Sequence, residues 1–236
     1  MAKATAKKQQ SSRANPVSQR GRPGKKGPVD KKEASKDPKA SHLYTDDNPE
    51  TTLQGTGFKD EAAATKTISL VSERSLLYQW QVINTMYNRA KHHPHKTKDI
   101  EKAIAIFGIW LAETYPKAKA EQRVFKPLSK KTVEALLPDL KARSGVNTAF
   151  AEIYIGLDRK KRLANVLVDN SKPAGPDWDR ARIDALSKLV PDKDKEFDDQ
   201  ELWEEDGTLS NHHVALLAWA WSPLSEYKLL KGANKG

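Results

Sequence analysis

The sequence contains no cysteine among its 236 residues, and it contains no long hydrophobic run. Without thiols, a disulfide framework, a thiolate nucleophile, a cysteine-based zinc site and an iron–sulfur cluster are all excluded. No apolar run approaches the roughly 18 residues that a membrane span needs, and the N-terminal MAKATAKKQQ lacks the apolar core of a secretory signal. We therefore expect a protein that is not secreted and has no membrane partner, located in the nucleus, the cytoplasm or a virion.

Catalytic motifs are also scarce. The sequence has neither the GxxxxGK[ST] phosphate loop nor the GxSxG nucleophile motif. Pro138-Asp139 and Asp158 to Lys160 satisfy the loose PD…(D/E)xK pattern of metal-dependent nucleases, in which two carboxylates hold Mg²⁺. That family places these residues on paired strands, whereas the periodicity here predicts helix around Asp158. We expect no catalytic residue, cofactor or metal, and we keep a nuclease as the less favoured alternative.

Five of the six histidines form two clusters, at 92–95 and at 212–213. Imidazole clusters can bind Zn²⁺ or Cu²⁺, but nothing in the spacing brings these two together. We expect His92 and His93 to end a helix near its C-terminal carbonyls, and His212 and His213 to be exposed in the first turn of another.

Positive charge is concentrated in the first 41 residues. They contain nine Lys and three Arg against Asp30, Glu33 and Asp37, a net charge of +9 out of +10 for the whole chain. Val17 and Val29 are the only Val, Ile, Leu, Phe, Tyr or Trp in this segment, which therefore cannot bury enough apolar area to offset its ordering entropy. We predict a disordered basic arm that binds polyanions by releasing their counterions. The alternative is a solubilising tail or localisation signal.

Within the arm, Arg20-Gly21-Arg22-Pro23 resembles the AT-hook of chromatin-associated proteins. The resemblance implies that Arg20 and Arg22 lie along the floor of a narrow A·T minor groove, where the negative potential is enhanced. Gly21 would let the backbone approach and Pro23 would direct the chain outward. The arm residues expected to bind nucleic acid are Arg13, Arg20, Gly21, Arg22, Pro23, Lys25 and Lys26.

The rest of the chain predicts one all-α domain of about seven helices, at residues 58–231, after a linker at 42–57 and before a disordered end at 232–236. Apolar residues recur at steps of three and four, with Ser129, Asp177 and Ser210 as N-caps. Pro116 is expected to close the third helix, and the last helix is expected to reach Trp221. Residues 150–168 fit one helical face or a hairpin, and we favour the helix. Apart from Trp203, the six tryptophans are interpreted as core residues rather than base-stacking platforms.

Three basic runs lie in this domain, at 89–98, 117–131 and 159–162, while residues 192–206 carry a net charge of −7. Such polarity suits nucleic acid on one face and a basic partner, such as another copy's arm, on the other. The body residues expected to contact phosphates are Arg89, Lys91, Lys96, Lys126, Lys130, Lys131, Arg159 and Lys160.

The charge distribution predicts a non-enzymatic nucleic-acid-binding or packaging protein, in which the arm binds the phosphate backbone and the helical body orients or multimerises it. A chromatin-associated factor and a capsid or nucleocapsid subunit fit equally well, with DNA or RNA as the partner and a homo-oligomer as a further expectation. The alternative is a protein-interaction module whose arm serves only as a localisation signal.

Overall fold

The computed structural model describes residues 53–191 and 202–233, and within these ranges the regular secondary structure is helical, without strands. The predicted all-α fold class is therefore confirmed for the described part of the chain, while the predicted arm at 1–41 lies outside it. The helices are α1 (Glu61–Val71), α2 (Leu76–Lys91), α3 (Lys98–Ile109), α4 (Tyr115–Glu121), α5 (Lys130–Ala142), α6 (Ala149–Gly156), α7 (Trp178–Leu189), α8 (Asn211–Ala218) and α9 (Glu226–Ala233).

The first core lies between α1, α2 and α3. Val71, Ile83 and Phe107 are fully buried there. Leu53 joins this core, and the Gly57 backbone N–H donates to Thr67 Oγ1 over 2.8 Å. The packed part of the chain thus reaches back into the segment that the sequence assigned to the linker.

The second half of the chain buries its apolar residues around α5, α6 and α8. One cluster includes Leu140, Phe150 and Leu217, and a neighbouring cluster includes Leu186 and Leu216. The Arg182 guanidinium links separate elements here. Its Nε donates to Trp219 O and its Nη1 donates to Phe125 O, both over 2.9 Å. This buried side chain ties α7 to the end of α8 and to the extended segment before α5.

The three helix starts read from the sequence are confirmed by their caps. Ser129, Asp177 and Ser210 precede α5, α7 and α8, and each side chain accepts a backbone N–H three residues further on. Each cap satisfies one of the N–H groups that have no partner within the first helical turn.

The expectation that Pro116 closes the third helix is wrong. A π-helical turn at Trp110–Thr114 joins α3 to α4, and the Tyr115 N–H donates to Trp110 O, five residues back. Pro116 then occupies the first turn of α4. Proline has no N–H to donate, and it is tolerated in the first turn of a helix, where an N–H has no partner within the helix. The wider π turn before it changes the hydrogen-bond pattern at this point, and the helix continues.

Two other boundaries differ from the predictions. Helix α6 ends at Gly156, and the chain continues through a turn and a short 3₁₀ helix (Leu163–Asn165), so residues 150–168 are neither one helix nor a hairpin. Helix α8 ends at Ala218, before Trp221. Ala220 has a positive φ of 52°, and its N–H and that of Trp221 return to the carbonyls of Leu217 and Leu216, the pattern of a Schellman C-cap.

Helix α9 was absent from the predicted set, and it runs two residues past the predicted end of the domain at 231. Leu229 anchors it in the core around α5 and α6.

Candidate nucleic-acid interface

Two of the three basic runs meet at the start of α5. The Lys130 ammonium donates to Ile155 O over 3.2 Å and also to Leu157 O, at the C-terminal end of α6. A cation at this position compensates the carbonyls left without partners by the helix end. Lys130 is therefore already engaged within the protein, and its contact brings the 117–131 run beside the loop that carries the 159–162 run.

That loop presents its cations to solvent. The Asp158 carbonyl accepts the Lys161 N–H over 3.0 Å, and Asp158 Oδ1 accepts the Lys160 N–H over 3.3 Å, which closes a tight turn. The exposed cations at this end of the molecule define a patch that we call the α5–α6 basic surface: Lys126, Lys131, Arg159, Lys160, Lys161 and Arg162.

The carboxylate of Glu226 borders this surface. Glu226, at the start of α9, accepts the Ser129 N–H over 2.9 Å, the Ser129 hydroxyl over 2.7 Å and the Thr132 hydroxyl. These hydrogen bonds, and to a lesser degree the charge of Lys126, hold the pKa of Glu226 below its ordinary value. Glu226 thus acts as a second cap of α5, supplied by another helix.

The first basic run lies apart from the α5–α6 basic surface. Arg89, Lys91 and Lys96 are exposed around the C-terminal end of α2. At the opposite, N-terminal end of α2, Arg74 donates to Ala164 O. Ala164 follows Arg162, the last cation of the basic loop, by two residues. The 16 residues of α2 span about 24 Å at 1.5 Å per residue. The exposed cations at the C-terminal end of α2 and those of the α5–α6 basic surface therefore form two separate surfaces.

The histidine expectations are correct for α2 but wrong for α8, where His212 is half-buried. His92 and His93 do follow the C-terminal end of α2, but His213 is fully buried rather than exposed. Its Nδ1 lies 3.1 Å from Leu202 O and its Nε2 lies 2.9 Å from Ser222 Oγ. Burial lowers the pKa of His213 to about 4. In the described part of the chain, no three His, Cys, Asp or Glu side chains are grouped so as to hold a metal ion.

The expectation that the tryptophans are core residues holds for Trp110 but is wrong for Trp80. Trp110 is 7% exposed, whereas Trp80 is 36% exposed, and its ring centroid lies 6.1 Å from that of Tyr115. Periodicity alone could not reveal the exposure of Trp80, because Trp80 lies at the edge of the buried face of α2. Its aromatic neighbour, Tyr115, is positioned by the π turn.

The nuclease pattern is not assembled as paired strands. Asp158 lies in the exposed turn after α6, so the helix expected around it is wrong, and Asp139 is exposed on α5. Of the acidic stretch, Glu204 to Asp206 are described and exposed, and residues 192–201 lie outside the described ranges. The arm residues Arg13, Arg20, Gly21, Arg22, Pro23, Lys25 and Lys26 also lie outside them.

Comparisons with known proteins found no matching family model, no matching curated protein and no matching solved structure. Among the helices described here, none is both long and apolar enough to cross a bilayer.

Proposed function

We propose that this chain binds nucleic acid through the phosphate backbone, as a non-enzymatic binding or packaging protein. The observation that carries the proposal is the position of positive charge. The first 41 residues carry a net charge of +9, and the domain adds the six exposed cations of the α5–α6 basic surface. Each neutralised phosphate releases condensed counterions, which gives affinity without any need for sequence recognition.

The contacts around Lys130 support a role for the body as well as the arm. Because carbonyls at the end of α6 hold the Lys130 ammonium, the start of α5 lies next to the basic loop. Cations whose backbone is already held in place lose less conformational freedom on binding than cations on an unfolded segment. The described domain therefore offers a surface of its own to which a polyanion can bind.

The proposal is tested on the full-length protein by fluorescence anisotropy with a labelled duplex over a series of salt concentrations. Converting Arg159, Lys160 and Lys161 to Gln removes three exposed cations from one loop. If each contacts a phosphate, the slope of log K against log[salt] becomes shallower by about 0.9 per contact, or about 2.7 in total.

The matched control converts Lys59, Lys66 and Lys188 to Gln, since these exposed lysines carry the same total charge but lie on other elements. It should change the slope of log K against log[salt] by less than about half of what one phosphate contact contributes. Equal losses in the two variants would mean that only net charge matters. Absence of salt-sensitive binding in the unmodified chain would favour a protein-interaction module with the arm as a localisation signal.

Two further measurements, of base-pair preference and of assembly with RNA, separate the two proposed settings. Preference for A·T duplex, as the AT-hook-like residues imply, supports a chromatin-associated factor. Assembly of the purified protein with RNA into regular particles or filaments supports a capsid or nucleocapsid subunit. Both settings use the same phosphate contacts and differ in whether the body also contacts further copies of itself.

A further inference from the structure

The contact between α2 and the helix formed by α3, the π turn and α4 contains a line of partly exposed aromatic rings. A methyl group added to Gly108 would lie 3.7 Å from Cε2 of Tyr87, and Trp80 lies against Tyr115. Trp80 and Tyr87 are seven residues apart, which places them on one face of α2, about 10 Å from each other. Gly108 and Tyr115 are also seven residues apart, so the two helices run antiparallel along this line.

The π turn is what brings Tyr115 into this line. In an α-helix, a side chain five residues after Trp110 lies about 140° further around the axis. The π turn contains one more residue than an α-helical turn, so it brings Tyr115 back to the side of the helix that carries Trp110. The ring centroids of these two residues are 5.9 Å apart. Tyr115 is thereby held between buried Trp110 and exposed Trp80. Local π turns are frequent at functional sites.

A lysine lies at each end of the line. Lys91 Nζ is 5.6 Å from the ring centroid of Tyr87, and Lys119 Nζ is 5.7 Å from that of Tyr115. The sequence of α2 contains no acidic residue, and Glu121 of α4 lies about half a turn away from Lys119. We call this surface the aromatic seam and define it by Trp80, Tyr87, Tyr115, Lys91 and Lys119.

We infer that the aromatic seam binds single-stranded nucleic acid, with bases stacking on its partly exposed rings and phosphates contacting its two terminal lysines. Surfaces that combine aromatic rings with cations bind unpaired strands, because every base has a face that can stack. A duplex has its bases stacked on one another, so it gains only the phosphate contacts. The inference rests on the proposed function, and it names the form of nucleic acid that this part of the domain prefers.

The test compares a labelled single-stranded 12-mer of thymidine with a 12-base-pair duplex, using the full-length protein at low salt. Trp80→Ala should weaken binding of the single strand by roughly tenfold, within the range reported for loss of one stacked base, and change duplex binding by less than about twofold. Trp80→Phe keeps an aromatic face and should retain most of the affinity. Tyr227→Ala is the matched control, since Tyr227 is 75% exposed on α9, outside the seam.

A second variant keeps the test valid should Trp80→Ala unfold the domain. Converting Lys91 and Lys119 to Gln leaves the rings in place. This variant should weaken binding of the single strand more than the matched variant in which Lys59 and Lys66 are converted to Gln. Equal effects of the seam variants on both probes, or no effect on either, would overturn the inference but leave the proposed function standing. If neither probe binds the unmodified protein, the proposed function fails as well. A seam variant that converts a dimer to a monomer in sedimentation, with binding unchanged, would assign the seam to a second copy instead.

Discussion

Arg74 and Asp177 form an ion pair that is buried on both sides, with Nε of the arginine 3.1 Å from Oδ2 of the aspartate. The same oxygen accepts the backbone N–H and the hydroxyl of Ser75, while Oδ1 caps α7 through the Arg180 N–H. The remaining guanidinium nitrogens donate to the carbonyls of Pro173 and Ala164. This network joins the start of α2 to the start of α7, so it connects the first core to the second half of the chain.

Removing Asp177 should therefore be among the most destabilising substitutions in the domain. Asp177→Ala leaves the Arg74 charge buried without its counterion and removes the cap of α7. We expect the free energy of unfolding to fall by about 3 to 5 kcal/mol, measured by urea denaturation at neutral pH.

An exposed ion pair on the same helix provides the control. Arg180 Nε lies 2.8 Å from Asp184 Oδ2, but both side chains are roughly half exposed. Asp184→Ala should cost less than about 1 kcal/mol, because solvent screens the pair. Losses of similar size at Asp177 and Asp184 would contradict the structural role assigned to the buried network.

His213 should make the stability of the domain fall as the pH is lowered from neutral. Its pKa in the folded state is about 4, against an ordinary value of 6.5, because its ring is buried between Leu202 O and Ser222 Oγ. Between these two pH values the unfolded chain takes up a proton that the folded chain does not. The free energy of unfolding should therefore decrease below about pH 6.5, by up to roughly 3 kcal/mol at pH 4 from this group.

The pH effect is measured by repeating urea denaturation between pH 7 and pH 4. His213→Gln should be less stable at pH 7, since it loses a well-packed ring, but its stability should depend less on pH over this range. The control is His92→Gln, an exposed histidine at the end of α2 that leaves the contacts of His213 intact. A His213→Gln profile parallel to that of the unmodified chain would contradict the assignment.

Glu226 should stabilise the docking of α9 on the start of α5. Glu226→Gln weakens the charge-assisted hydrogen bonds from Ser129 and Thr132, at an expected cost of about 1 kcal/mol, similar to loss of a helix cap. Because the pKa of Glu226 is lowered in the folded state, this stabilisation is complete above the ordinary carboxyl pKa. It is lost as the pH falls through the lower folded value. Hydrogen exchange of the Leu229 N–H, which donates to Ser225 O, reports on α9 directly, and exposed Glu205→Gln is the control.

The sequence predicted those features that depend on local chemistry. Ser129, Asp177 and Ser210 were recognised as caps because each precedes an apolar periodicity and has a side-chain oxygen that can accept a backbone N–H. The end of α8 was missed because the residue at its left-handed position is Ala220 rather than glycine, so the usual stop signal is absent. Pro116 was misread because a π turn can accommodate proline within a continuing helix.

Burial at the edges of helices could not be predicted, because it depends on residues outside the helix concerned. His213 is buried by Leu202 and Ser222, which come from either side of α8, and Trp80 is partly exposed because α4 covers only one side of it. The basic runs were visible in the sequence. Their grouping was not, since it depends on the contact between Lys130 and the end of α6.

The last prediction concerns the arm and follows from the AT-hook-like residues at 20–23. Converting Arg20 and Arg22 to Ala removes two cations, so the slope of log K against log[salt] on duplex DNA should become shallower by about 1.8. Any preference for A·T over G·C duplex should disappear, because an arginine in a narrow minor groove reads the groove's shape and potential. Converting Arg13 and Lys25 to Ala removes the same charge from the same arm, so it should change the slope equally but keep the A·T preference. Loss of the preference in both variants would mean that arm charge alone, rather than the Arg20-Gly21-Arg22-Pro23 arrangement, produces it.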